Sequence, residues 1–191
     1  MNKTKRAIFE AAISIFSKAG YNGATMDEIA LEAGVAKGTL YYHFKSKEEI
    51  FNFIITEGIN LMHDEISQVN NIDGDALVKL KEVCKIQLSF LYRNKEFFKV
   101  IMSQLWGQEL RQLELRNQIQ RYIYGIEIYI KEAADTGLIR KGDVSFMAYA
   151  FFGSLISAAV YEIINIDKIN LENIIDNLID YNFRGLQKSE L

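Results

Sequence analysis

No proline occurs anywhere in this chain of 191 residues. Average usage would place about ten. Proline breaks helix interiors and punctuates loops. Its absence favours long helices with short joints and excludes proline-rich linkers and polyproline ligand segments. Periodicity is the second constraint. Nearly every segment repeats its apolar residues at helical spacing, and none alternates as a strand would. An all-α fold of about nine helices follows. The apolar fraction of 49% supplies a real core, and the length suits one domain or two small ones.

The helix ends can be read from caps and glycines. A first helix over residues 4–19 carries the stripe Ile8, Ala11, Ala12, Ile15, Phe16 and Ala19, and Gly20 stops it. Thr25 with Glu28 reads as a capping box that opens a short helix over 26–33, closed at Gly34. A second short helix spans 37–44. Ser46 with Glu49 forms another box and opens a long helix to about residue 69. Further helices are expected at about 75–92, 95–105, 108–136, 143–166 and 171–186. Two parts follow: a three-helix unit over residues 1–46 and a helical body over 47–191. The long helix joins them without a flexible linker, with its capped start at Lys45-Ser46 as the expected hinge.

The net charge of −3 hides a local pattern. Residues 33–47 contain no acid, but three lysines and His43. A small basic face on an acidic protein suits a nucleic-acid contact there and argues against general polyanion binding elsewhere. Cys84 is the single cysteine, so it forms no internal disulfide. It reads as a small buried hydrophobe in a reducing compartment. With no apolar leader at the N-terminus, the expected location is the cytoplasm. Residues 144–161 carry no charge. They are read as a fully buried helix and not as a membrane span.

Residues 25–44 read TMDEIALEAGVAKGTLYYHF. Two short helices joined by a turn at Gly34 make a helix-turn-helix. Ala30 is small where the helices cross, and Gly34 permits the turn. Ile29, Ala33, Val35, Leu40 and Phe44 face the first helix. Lys37, Thr39, Tyr41, Tyr42 and His43 then face outward or sit at the rim. This set suits DNA: a cation and a hydroxyl for base edges, phenols and imidazole for phosphates. Gly38 lets the backbone approach a groove closely, and the helix start at Ser46-Lys47 suits phosphate.

The first 50 residues resemble the N-terminal domain of the TetR family of transcriptional repressors. The resemblance lies in three linked pieces, FSKAGYNGAT, MDEIALEAGVAKGTLYYHF and KSKEEI. It covers about a quarter of the chain in detail; the later helices agree in number and order. It implies that the second short helix enters the major groove, with Lys37, Gly38 and Thr39 at base edges. Tyr41, Tyr42 and His43 match positions that touch phosphate, and Thr25 and Lys47 match helix starts that clamp the backbone on either side. Lys5 and Lys45 lie near the DNA. Ala36 departs from the family's frequent serine or threonine, which removes one hydroxyl contact. The resemblance also implies a dimeric repressor on a palindromic operator in double-stranded DNA, released by a small lipophilic effector.

Residues 90–161 hold 13 of the 23 aromatic residues. Bulky rings with methionine pack irregularly, and buried Tyr and Trp need polar partners, which suits a pocket wall. The expected effector site is lined by Phe90, Phe98, Met102, Trp106, Tyr122, Ile126, Tyr129, Tyr149 and Phe152. The helix over 144–161 is apolar nearly all round and needs neighbours on more than one side. The last helix carries a stripe at Leu171, Ile174, Ile175, Leu178, Ile179, Phe183 and Leu186. These two helices are expected to pair with their copies as a four-helix bundle, through Gly153, Ile156, Ser157, Val160, Ile175, Leu178, Ile179 and Phe183.

An enzyme is disfavoured. His43 and His63 are the only histidines, and no zinc-protease, paired-cysteine or phosphate-loop motif occurs. The Glu-x-x-His pairs of a carboxylate metal bundle are missing too. Neither a metal nor a cofactor is expected. A helical adaptor binding only protein would explain a dimer seam but would leave the acid-free Lys/Tyr/His segment without a use.

Overall fold

A computed structural model of the chain describes residues 1–164 and 171–186. Among the described residues there are nine α-helices, one 3-10 turn and no strand. The helices are α1 (Lys3–Gly23), α2 (Met26–Glu32), α3 (Lys37–His43), α4 (Lys47–Ser67), α5 (Ala76–Arg93), α6 (Lys95–Gln104), α7 (Leu110–Asp135), α8 (Val144–Ile164) and α9 (Leu171–Leu186). The 3-10 turn, Gln68–Asn71, follows α4. Two compact units emerge. The first joins Met1–Leu61 with Asn94–Ile119; the second joins Met62–Arg93 with the described residues from Gln120 onward. Helices α4 and α7 each begin in the first unit and end in the second.

In the first unit α1 packs on α2 and α6, and α2 packs on α3. Its core is Ile8, Ala12, Phe16, Ile29, Leu40, Ile50, Phe51 and Ile54, all shielded from water. The helix ends are held by short polar contacts. Asn2 caps α1 by accepting from the Lys5 N–H at 2.8 Å. The expected stop at Gly20 is instead a kink: φ 70, ψ 168 breaks the helical path, and a further turn runs on to Gly23. A positive φ suits glycine there, and the Ala24 N–H closes the extra turn on the Gly20 carbonyl. The Thr25–Glu28 capping box is complete. The second box is displaced by one residue. Ser46 Oγ accepts from the Glu49 N–H at 3.1 Å, but the Glu49 carboxylate accepts from Lys45 N–H at 2.6 Å. Gly58 brings α4 hard against α6: a Cβ there would lie 2.1 Å from the Phe97 ring.

In the second unit α5 packs on α8 and α9, and α8 packs on α9. Leu80, Val83, Cys84, Ile123, Ile126, Ile130, Phe151 and Leu155 form its interior. Helix α8 corrects one expectation. It is not fully buried in the single chain, because α5 and α9 pack on only one side of it. Phe146, Tyr149, Val160, Tyr161 and Ile164 are exposed, with Gly153 and Ser157 between them on the same face. The stretch Val144–Tyr161 is long and apolar enough to cross a bilayer by length and composition alone, with a mean hydropathy of 1.6, but a third of it is buried in the fold.

Candidate functional site

The seven residues of α3 are oriented from within. Leu40 and Phe44 are buried against the rest of the helix-turn-helix, which fixes the side facing solvent. Gly34, at φ +64, makes the turn that sets α3 across α2. Lys37, Gly38, Thr39, Tyr41 and Tyr42 are all exposed, and Tyr42 keeps 76% of its surface in water. His43 is half-buried, its ring edge-on to Tyr42 at 5.2 Å. A Cβ on Gly38 would meet no atom of the chain within 4 Å. No neighbour inside the protein therefore requires glycine there.

Several donors expected to meet DNA are engaged internally. Lys37 Nζ pairs with Asp27 at 2.6 Å. Lys45 Nζ donates to the Tyr41 carbonyl at 2.9 Å. Lys47 Nζ donates to the Ala24 carbonyl at 2.7 Å and the Asn22 carbonyl at 3.3 Å. The Thr25 hydroxyl donates to Glu28 at 2.7 Å and accepts from its N–H at 3.2 Å. An ammonium has three N–H groups, so Lys45 and Lys47 can keep these bonds and still offer one to a phosphate. Thr25 has a single O–H, and must give up Glu28 to donate elsewhere. Lys5 Nζ lies 5.7 Å from the Phe53 ring centroid. Spacing could not reveal the acceptors of Lys37 and Lys47, because Asp27, Asn22 and Ala24 are distant from these lysines in sequence.

The second unit holds a small cavity of about 140 Å³, lined by Tyr122, Ile126 and Tyr129 together with His63, Ile66 and Asn70 among others. The Tyr129 hydroxyl donates to Asn70 Oδ1 at 2.8 Å. Beside it, Gln87 Nε2 donates to the Tyr122 hydroxyl in a fully enclosed pair, and among the described residues Gln87 Oε1 has no partner. Burial pushes the Tyr122 hydroxyl well above the usual phenol range, and burial raises Tyr129 as well. The Tyr122 ring stacks edge-on against Phe152 at 6.0 Å. The sequence missed His63, Asn70 and Gln87, which lack the bulky aromatic signal used to find a wall.

The nine residues expected to line an effector site do not form one surface. Tyr122, Ile126 and Tyr129 meet at the cavity. Phe152 touches it through Tyr122. Phe90 is buried in the same unit, and Tyr149 turns outward at 44% exposure. Phe98, Met102 and Trp106 belong to the first unit. Trp106 lies on the surface at 82% exposure, just past the end of α6. There the interior of the corner is taken by the side chains of Gln104, Arg111 and Gln112.

Known proteins share this architecture. A family model for bacterial regulatory proteins of the tetR family matches residues 8–54. The solved structure of a proposed fatty acid metabolism regulator from Clostridium perfringens is 49% identical with a TM-score of 0.90, covering 96% of this chain and 100% of that one. The chain belongs to the TetR family. It is a DNA-binding transcriptional regulator. The fatty acid metabolism regulator protein of Bacillus subtilis is 27% identical over 186 residues, which is 94% of this chain and 93% of that protein. The crystal structure of the regulator FadR from Bacillus subtilis in complex with stearoyl-CoA has a TM-score of 0.85 at 21% identity, covering 95% of this chain and 99% of that one. At that identity the likeness is one of fold.

For a TetR chain, the uncovered side of α8 is the notable surface of the second unit. Gly153, Ser157 and Val160 are exposed and Ile156 is half-buried. On α9, Ile175 is buried while Leu178 and Ile179 are half-buried. The side chain of Phe183 lies outside the described residues.

Proposed function

We propose that this TetR regulator is a homodimeric repressor, acting in the cytoplasm. It reads a palindromic operator with α3 and releases it when a fatty-acyl thioester of coenzyme A binds the body. Residues 1–46 read DNA together with Lys47 at the start of α4, and the rest of residues 47–191 sense the effector and dimerise. The observation that carries the DNA reading is the outward side of α3, polar, cationic and open while Leu40 and Phe44 pin its other side. Lys37, Gly38 and Thr39 take base edges; Tyr41, Tyr42 and His43 take phosphates; Thr25, Lys45 and Lys47 hold the backbone at either side. The exposed apolar side of α8 supports the dimer. The effector class rests on the two fatty acid metabolism regulators that the chain resembles and on the stearoyl-CoA bound by a protein of the same fold. An effector that favours a conformation unable to span both half-sites lowers operator affinity, and operator lowers effector affinity equally.

The test is an in vitro selection of duplexes by the full chain, followed by titration of the selected duplex. Stearoyl-CoA should weaken binding at least about tenfold, a coupling of about 1.4 kcal/mol. Free coenzyme A and stearate, each alone, should not. Equal release by stearate would remove the thioester from the reading, and no release by any of the three would remove the effector class.

A further inference from the structure

The corner between α6 and α7, in the first unit, contains a buried cation that helix packing does not explain. Arg111 is 6% exposed in the first turn of α7. Arginine is seldom so enclosed unless paired. Its guanidinium carbon lies 3.8 Å from the centroid of the Tyr21 ring. Glu109 forms an ion pair with it, and Nη2 donates to Gln104 Oε1 at 3.3 Å. Among the described residues the Nε–H has no acceptor. An apolar side chain would fill such a place at lower cost than a buried cation with an unmet donor.

The corner around it is tightly tied. Gln112 lies where a Cβ on Gly107 would sit, donates to the same Gln104 oxygen at 3.2 Å and accepts from the Glu109 N–H at 3.0 Å. Arg116 donates to the carbonyls of Leu105 and Gly107 at 2.9 and 2.7 Å. These bonds fix the backbone that carries Arg111 and hold its guanidinium against Tyr21.

Tyr21 sits in the kinked turn leading into α2, and a second cation meets its ring. Lys47 Nζ lies 4.7 Å from the centroid and ties the start of α4 to the carbonyls of Asn22 and Ala24. Cations are attracted to an aromatic face at such distances. Burial raises the Tyr21 hydroxyl above the usual phenol range, while the charge on Arg111 pulls it back. One ring thus links the α6–α7 corner to the lysine at the start of α4 and to the turn before Thr25.

We propose that Arg111 is a positioning residue for DNA binding, acting through the Tyr21 ring on Lys47 and the Asn22–Ala24 turn. This rests on the reading of Lys47 as a phosphate contact. The test uses the full chain, the in-vitro-selected duplex and a salt titration, with thermal unfolding followed on every variant. Lys47→Met should weaken binding about tenfold and lower the salt slope by about one unit, the loss of one phosphate contact. Arg111→Met should do the same, and the double variant should lose little more than either single one. Arg111→Lys keeps the charge without the planar guanidinium, so its loss should be smaller, about threefold. If Arg111→Met fails to fold, Tyr21→Leu and Arg111→Lys carry the same non-additivity test against Lys47→Met. An unchanged salt slope in Arg111→Met beside a lowered one in Lys47→Met would overturn the proposal, as would additive losses in the double variant. An unchanged slope in Lys47→Met itself would overturn the phosphate reading beneath it.

Discussion

Helices α3 and α8 both leave one side uncovered in the single chain, but they present different chemistry there. On α3 the outward residues are Lys37, Gly38, Thr39, Tyr41 and Tyr42, every side chain among them tipped with a polar group. On α8 they include Phe146 at 71% exposure and Tyr161 at 56%, on a stretch with no charge from residue 144 to 161. Phenols and ammonium groups stand in water at little cost and can exchange it for phosphate oxygens. Exposed apolar surface costs about 25 cal/mol per Å², so the α8 side calls for a dry partner. One exposed side therefore stands in water at little cost, and the other suits burial against the proposed second copy.

The sharpest way to break that contrast is to charge the α8 side. A Cβ on Gly153 would meet no atom within 4 Å in one protomer. Gly153→Arg should therefore be tolerated within the chain and refused across a two-fold seam. Sedimentation equilibrium should show a 21.9 kDa species in place of the proposed dimer, and operator affinity should fall by at least about a hundredfold as the two half-sites cease to be linked. A variant that stayed dimeric would move the seam away from α8. On α3 the comparable blow must strike the inward side. Leu40→Ala empties a fully buried position and should cost about 2–5 kcal/mol of stability by the usual cavity range, read as a lower urea midpoint. Next in size is the outward side itself. Thr39→Ala should cost about 1–3 kcal/mol on the preferred duplex and relax the base choice there, leaving the urea midpoint in place. A midpoint that shifted with Thr39 as far as with Leu40 would erase the division between the two sides of α3.

The two regions also differ in how much of them the sequence disclosed. The helix-turn-helix was readable because its signals are local. Thr25 and Glu28 lie three residues apart, and both halves of their box form. Apolar spacing placed Leu40 and Phe44 inside. Helix ends from α5 to α9 agree with expectation within about two residues, because a proline-free chain marks its joints with glycine and polar pairs. Gly20 is a kink where the sequence predicts a stop, since both draw on the same positive-φ glycine. In the body, aromatic residue type could not separate cavity wall from core or surface, and Trp106 shows the limit at 82% exposure. Arg111 gave no signal at all. It sits in an ordinary polar run of α7, and its partner Tyr21 lies far upstream in the chain. Such pairings are set by the path of the chain through space, which no local window contains.

The smallest expected effect concerns Asp27, which partners Lys37 at 2.6 Å with both side chains more than half exposed. Such an exposed pair contributes about 0.2–1 kcal/mol at most. Asp27 also lies in the first turn of α2, where a negative charge suits the helix start by about 0.3–1 kcal/mol. Asp27→Asn should therefore lower stability only slightly. Its effect on DNA should have the opposite sign. The carboxylate competes for Lys37 and repels an approaching phosphate backbone, so its removal should tighten binding about two- to threefold at low salt. The gain should shrink as salt rises, because screening weakens the repulsion that the substitution removes. Weaker binding in Asp27→Asn would reverse the role: the carboxylate would then be aiming Lys37 at its base and not holding it back. Of the two outward sides, only that of α3 can be tuned in this way, since its contacts are charges that salt can screen.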